Sequence, residues 1–347
     1  MFIVRPVKKE DLNDLYEISA LAKAGLTTLP HDREVLEQRI DESVHSFSKK
    51  SRKPSGEMYF FVLEDTRSHK VIGTSAILSK VGGFEPFYTY KIKSAIKQSK
   101  LLNVRKKIEY LKLVKNYSGP SEVATLFLLP TVRQKGVGRL LSLSRFLFVA
   151  QYPFRFESSI IAEMRGVVDD QGQSPFWNSV GKHFFEVDFQ KADLMVMRDK
   201  SFIEELIPEH PIYIPILPLS AQAVIGKVHK ETEPALHLLE SEGFSPNGEI
   251  DIFEGGLVVE AKRDKIRTVK ESQEAVVSQI IPKMSEEALF IIANVREFKN
   301  FRATMGPVII NEDKTVTLTE DVAKAIEVKK NTKVRLIRMK KYENTKH

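Results

Sequence analysis

The stretch from 121 to 150 constrains this chain more than any other. SEVATLFLL (121–129) is an apolar run stopped by Pro130, and VGRLLSLSRFLFVA (137–150) places Val137, Leu140, Leu141, Ser144 and Phe148 along one helical face. The first reads as a buried strand and the second as a helix. A strand that hands over to a helix through so short a turn belongs to a sheet with a helix laid upon it. The turn itself, RQKGVG, is chemically pointed. A helix start offers unpaired N–H groups and the positive end of a dipole, and Gly136 and Gly138 remove the Cβ atoms that would hold a phosphate at a distance. Arg133, Lys135 and Arg139 add charge around the same anion, so a pyrophosphate is the natural occupant. The turn lacks the GK[ST] of a Walker loop and the GxGxxG of a dinucleotide fold.

The rest of the chain supplies a mixed sheet. FIVRPV (2–7) reads as a strand, 10–25 as a helix stopped by Gly25, and 33–47 as a second helix with Leu36, Ile40, Val44 and Phe47 at helical spacing. MYFFVLED (58–65) and KVIGTSAIL (70–78) form a hairpin. FYTYKI (87–92) reads as a strand with helix beyond it. In SPFWNSVGKHFF, Ser174 is an N-cap, Pro175 takes the first helical position, and Phe176, Trp177, Val180 and Phe184 turn inward. From 267 to 288 the chain is polar and helix-leaning, and short alternating strands follow. The expectation is an α+β protein, with one large domain over 1–266 and a small β-rich module over 285–347.

Composition narrows the function classes. With 347 residues, 42% hydrophobic and 29% charged, the chain is of ordinary soluble type with room for about two domains. It has no cysteine, which excludes disulfides and thiolate chemistry, and its eight histidines include no HExxH pair, so no metal is expected. No apolar run approaches the roughly 18 residues of a membrane span, and Met1 leads directly into a strand, so a cytoplasmic location is expected. The net charge of +7 is concentrated in 91–116, where Lys91, Lys93, Lys97, Lys100, Arg105, Lys106, Lys107, Lys112 and Lys115 face Glu109 alone. With no aromatic platform alongside, this segment reads as solvated surface rather than a nucleic-acid site.

Arg133-x-x-Gly136-x-Gly138 straight after a strand resembles the acyl-CoA loop of the Gcn5-related N-acetyltransferase superfamily. Longer motifs narrow the likeness: AGLTTLP (24–30), AEMRGVVDDQGQSPFWNSVGKHFFEVDF (162–189), HPIYIPILP (210–218), AVIGKVHKETEPALHLLESEGF (223–244), EIDIFEGG (249–256) and VRLIR (334–338). In that order, and over nearly the whole length, they resemble the arginine N-succinyltransferase family. The resemblance implies transfer of succinyl from succinyl-CoA, as cosubstrate with no tightly bound cofactor, to the α-amino group of L-arginine. It also implies a mixed-sheet acyl-CoA transferase fold. Some relatives pair arginine-specific and ornithine-accepting subunits. That leaves ornithine open as an acceptor and leaves room for a homo- or hetero-oligomer. The alternative is another N-acyltransferase of the superfamily with a different acyl-CoA or amine.

The chemistry asks for a group titrating near neutrality to hand a proton to the departing thiolate, and histidine is the natural type. The resemblance places that proton donor on His229, in the GKVH motif, and a succinyl-CoA contact on Leu126. It also places the pyrophosphate on Arg133, Lys135, Gly136, Val137, Gly138 and Arg139. His183, His210 and His237 read as surface or turn residues. Recognition of a guanidinium calls for carboxylates. Glu163, Asp169 and Asp170 are the candidates, although a strand-end pair with Arg165 or a solvated turn explains them equally well. Arg165 is also a candidate cation for the succinyl carboxylate.

Overall fold

Near-continuous burial along the first three strands marks the centre of the sheet, covered on both faces. The computed structural model describes residues 1–22, 29–83, 85–133, 136–169, 171–196, 199–284 and 288–339. Strands β1 (Phe2–Pro6), β2 (Met58–Asp65) and β3 (Lys70–Leu78) pair antiparallel, Phe2 opposite Asp65 and Met58 opposite Leu78. Between β1 and β2 run α1 (Leu12–Leu21) and α2 (Arg33–Ser48). Asp32 caps α2 through the amides of Glu34 and Val35. Leu15, Ile18, Leu36 and Ile40 bury against Phe60, Val62 and Val71, so both helices cover one face of the sheet. Gly25, the expected stop of the first helix, lies outside the described residues.

The basic segment corrects the sequence expectation. Instead of a strand followed by a helix it is one long hairpin, β4 (Phe87–Ser99) and β5 (Val104–Asn116), in register from Phe87–Asn116 to Ser99–Val104. Leu101 and Leu102 at its tip are 94% and 71% exposed, so the outer half projects into solvent with its lysines.

β6 (Ser121–Leu128), α3 (Val137–Gln151) and β7 (Ser159–Glu163) form a parallel crossover, as the opening stretch required. Ser174 caps α4 (Pro175–Ser179) by accepting from the Trp177 amide. Phe176, Trp177 and Val180 are buried, but Phe184 is 40% exposed and Phe185 takes the inward place, because a break at Val180 and Gly181 shifts the helical phase. Four further short helices complete this region: α5 (Lys182–Phe185), α6 (Phe189–Val196), α7 (Ser201–Leu206) and α8 (Leu219–Val224). They share a core with Tyr90, Leu111 and Ile250 of the sheet. After β8 (Ile212–Tyr213) and α9 (Glu233–Ser241), β9 (Ser245–Asp251) and β10 (Leu257–Lys262) close the gap between β7 and β4.

The C-terminal module begins earlier than 285. The helix-leaning stretch yields only α10 (Arg267–Glu271), and 273–281 is strand β11 (Gln273–Ile281), in which Ala275 and Val277 are buried while Glu274 and Val276 face out. With β12 (Leu289–Asn294), β13 (Ala303–Ile310), β14 (Val316–Thr319) and β15 (Lys333–Arg338), β11 makes a closed barrel in the order β12–β13–β14–β11–β15 and back to β12. Phe290, Val308, Leu318 and Leu336 fill it, together with Val322 of α11 (Glu320–Ala325). β13 also pairs with β1, Ile3 opposite Thr304, which welds barrel to sheet. Helix α3 therefore packs between the two, and its residues 140–149 are buried almost all round. No helix among the described residues is long and apolar enough to cross a membrane.

Candidate active site

The parallel pairing of β6 and β7 is confined to Ser121–Ile160 and Glu122–Ile161, after which the strands diverge. Beyond Glu122 the β7-side edge of β6 is thus without a paired strand among the described residues, an opening in the sheet. Within this free length β6 bulges opposite Thr74–Ala76, and Thr125 takes φ 55°, a left-handed conformation rarely adopted by a β-branched residue. Leu126 follows the bulge and is half-buried, with its side chain against the α3 core. What it offers the opening is its main chain.

The opening leads to the start of α3. Gly136 caps the helix at φ 94°, and a Cβ there would meet Met305 Sδ at 3.1 Å. A Cβ on Gly138 would meet nothing within 4 Å, so the space beside it is open for a group that approaches the backbone closely. Val137 is 2% exposed and belongs to the core, which leaves it only an amide to contribute. Arg133 is exposed, its Nε donating to the Leu128 carbonyl at 3.3 Å. Arg139 is half-buried on the first turn of α3. Lys135 lies outside the described residues.

His229 is held beside the residues that follow β7 by two main-chain anchors. The Gly226 amide donates to the Gly255 carbonyl at 2.8 Å, and the His229 amide to the Arg165 carbonyl at 2.9 Å. The imidazole Nδ1 accepts the Glu231 amide at 3.2 Å. With Nδ1 accepting that amide, the neutral ring carries its proton on Nε2. His183, His210 and His237 are exposed on the surface.

Arg165, two residues beyond the end of β7, lies mostly buried against Glu254, Nε to Oε1 at 3.7 Å, and both of those atoms are buried without a hydrogen-bond partner. Glu254 Oε2 accepts the Gly166 amide at 2.8 Å. Burial, with Asp251 close by, pushes the Glu254 carboxyl up to about 8 against the pull of Arg165. Near neutrality this carboxyl is mostly protonated, and the Arg165 charge stays largely uncommitted.

On the face of the sheet turned toward α1 and α2, Glu163 continues the row begun by Glu122 and Ile161. Its side chain is exposed at the end of β7, with other acidic groups of the sheet nearby. Desolvation and the repulsion of Glu122, Asp251 and Glu249 hold its carboxyl well above the usual range, and burial likewise raises Glu122 and Asp251. The same face opens into a polar cavity of about 330 Å³ with Thr89, Ile161, Glu249 and Glu260 in its walls. Such a recess holds protons or organic cations. Glu122 and Asp251 were not among the sequence candidates, because strand register alone brings them near Glu163, and neither was Glu254, which lies against Arg165 and Gly166. Asp169 is spent on a turn, its Oδ1 accepting the amides of Gln171 and Gln173. Asp170 lies outside the described residues. Among the described residues no cluster of His, Cys, Asp or Glu could hold a metal.

Comparison with known proteins gives the family of the chain. Residues 2–268 match the family model described as arginine N-succinyltransferase beta subunit, and 273–338 match that of its C-terminal domain. The arginine N-succinyltransferase of Photorhabdus laumondii is 42% identical over 346 residues, covering 99% of this chain and all of that one. That of Yersinia enterocolitica is 41% identical, covering 97% of each. Among solved structures, arginine/ornithine succinyltransferase subunit AI from Pseudomonas aeruginosa superposes with a TM-score of 0.89 at 32% identity, covering 98% of this chain and 99% of that one.

Proposed function

Because the chain belongs to the arginine N-succinyltransferase family, we propose that it transfers the succinyl group of succinyl-CoA to the α-amino group of L-arginine, giving N2-succinyl-L-arginine and CoA. The observation that carries the reading is the divergence of β6 from β7 running straight to the glycine start of α3. Pantetheine lies along the free edge of β6 with the Leu126 backbone beside the thioester. The pyrophosphate rests on the amides of Val137, Gly138 and Arg139, with Arg133 and Lys135 nearby. Arg165, whose charge its carboxyl neighbour leaves open, pairs with the succinyl carboxylate. Glu163, with Glu122 and Asp251 around it, receives the cationic acceptor.

The deprotonated α-amine attacks the thioester carbon, and the tetrahedral intermediate collapses with cleavage of the C–S bond. The attacking nitrogen releases its extra proton to solvent, and the sulfur takes a proton from Nε2 of the imidazolium form of His229, which leaves that ring neutral. Succinyl-CoA enters as cosubstrate with nothing tightly bound, and ornithine is admitted to the extent that the recess accepts a shorter cation.

The test is CoA release followed with a thiol reagent, which the protein itself, having no cysteine, leaves without background. Succinyl-CoA with arginine is expected to be the best pair among succinyl- and acetyl-CoA crossed with arginine, ornithine and lysine. Activity with acetyl-CoA alone would refute the assignment.

A further inference from the structure

Among the described residues three arginines are buried in the sheet domain, and one of them, Arg5, has its charge matched by carboxylates. Arg5 is held by Asp11 at 2.7 Å and Glu64 at 2.6 Å. Arg155 donates to the Ser46 and Lys49 carbonyls, at the negative end of α2, and to Tyr59 Oη, and its guanidinium lies 3.6 Å from the centre of the Phe298 ring. Arg145 has no matching carboxylate among the described residues, and its guanidinium lies 5.9 Å from the centre of the Phe146 ring. It is 2% exposed in the middle of α3. Its Nε donates to the Ser142 carbonyl at 3.2 Å, its Nη2 to Ser142 Oγ at 2.9 Å, and its Nη1 to the Ala124 carbonyl at 3.2 Å. Desolvation alone pulls its pKa down to about 9. A buried cation without an anion destabilises a fold, and an apolar side chain of similar volume serves packing better.

What Arg145 holds is specific. Ala124 immediately precedes the bulge, and the next carbonyl, that of Thr125, accepts from the buried Thr74 hydroxyl at 2.9 Å. Two successive carbonyls are thus taken by side chains, one from α3 and one from β3, around a residue at φ 55° that is strained by roughly 1–3 kcal/mol. Resting on the acyl-CoA reading of the β6 edge, we infer that Arg145 is a positioning residue: its guanidinium fixes the Ala124 carbonyl, and so the bulge that turns the Leu126 backbone toward the thioester.

A merely structural arginine and this one make opposite predictions for Arg145→Met. With the bulge released and the unmatched charge gone, Tm stays level or rises, kcat falls at least about tenfold, and affinity for unacylated CoA, read by calorimetry, stays within about threefold. Arg145→Lys keeps the charge without the fork and covers the case in which the methionine variant folds poorly. It too loses kcat while holding Tm. A readout that needs no turnover is amide exchange, which quickens at Thr125 and Leu126 in Arg145→Met while β3 keeps its protection. Undiminished kcat in either soluble variant, a loss that only follows a fallen Tm in both, or unchanged exchange at the bulge overturns the inference. The parent chain's own succinyl transfer, measured first, separates failure of the functional reading from failure of this one.

Discussion

Replacing Arg165 by methionine tests what selects the acyl group. The substitution keeps the length of the side chain and leaves the Arg165 carbonyl, which anchors the His229 amide at 2.9 Å, in place. A full ion pair at the 3.7 Å separating Arg165 from Glu254 would be worth roughly 4 kcal/mol at an effective dielectric of about 20. The Glu254 carboxyl, however, is pushed up to about 8, so near pH 7 only about one in ten is ionised and most of that attraction is absent. The guanidinium is then available to the succinyl carboxylate, where charge-assisted hydrogen bonds in a partly dry site contribute about 2–3 kcal/mol. At 1.36 kcal/mol per decade this predicts a loss of roughly 30- to 150-fold in kcat/KM for succinyl-CoA. Acetyl-CoA, which carries no such carboxylate, should change by less than about threefold. Initial rates of CoA release with both donors, on protein checked for unchanged Tm, give the comparison.

The same pair predicts a pH dependence. As pH rises through about 8, Glu254 ionises among Asp251, Asp193 and the Gly166 amide and draws Arg165 to itself, so KM for succinyl-CoA climbs. Glu254→Gln removes the climb. An equal loss with both acyl donors would show that Arg165 acts only by shaping the rim, and the reasoning above would be wrong.

Three further outcomes are expected. His229→Ala lowers kcat by about 10²- to 10⁴-fold with succinyl-CoA affinity unchanged in a binding titration, and full turnover in that variant would remove His229 from the mechanism. Gly138→Ala raises thermal stability by about 0.5–1 kcal/mol, since the position is helical and a Cβ meets nothing within 4 Å, while KM for succinyl-CoA rises because the methyl fills the space beside the amides; calorimetry and kinetics together check both halves. Glu163 has a folded-state pKa above its unfolded value, so its contribution to stability is present below pH 4.5 and is lost as pH rises through the raised value. Glu163→Gln should therefore raise Tm at pH 8, leave it unchanged at pH 4, and weaken arginine binding; thermal melts at the two pH values settle the first part.

Local patterns were readable wherever one element carried its own signal. The apolar strand before Pro130, the helix from Val137, the hairpin of β2 and β3 and the Ser174 cap are all encoded within a few residues of themselves. The basic hairpin was not, because lysines on both faces conceal an alternation of period two, and its turn carries no glycine. Asn103 at φ 49° was the remaining signal. In β11 the inward pair Ala275 and Val277 is too short a pattern to outweigh its helix-forming neighbours. At the site, the family motif pointed to His229, and the structure adds the main-chain anchors and the tautomer. The acidic cluster depends on the register of β6, β7, β9 and β10, and the burial of Arg145 depends on the elements that pack around α3. Both are facts about pairs of distant segments, which no window of sequence contains.

The pairing of β1 with β13 reaches into the time domain. Thr304 Oγ1 donates to the Phe2 carbonyl at 2.7 Å across a separation of 302 residues. At 5–20 residues per second, a ribosome needs roughly 15–60 s after making the first strand to supply its outer neighbour. For that interval β1 can pair with β2 while its other edge stays bare, an invitation to foreign strands that only the last fifth of the chain withdraws. The barrel is therefore the clasp of the nascent protein, and a chain released before residue 303 leaves the ribosome with its first strand still open on one side.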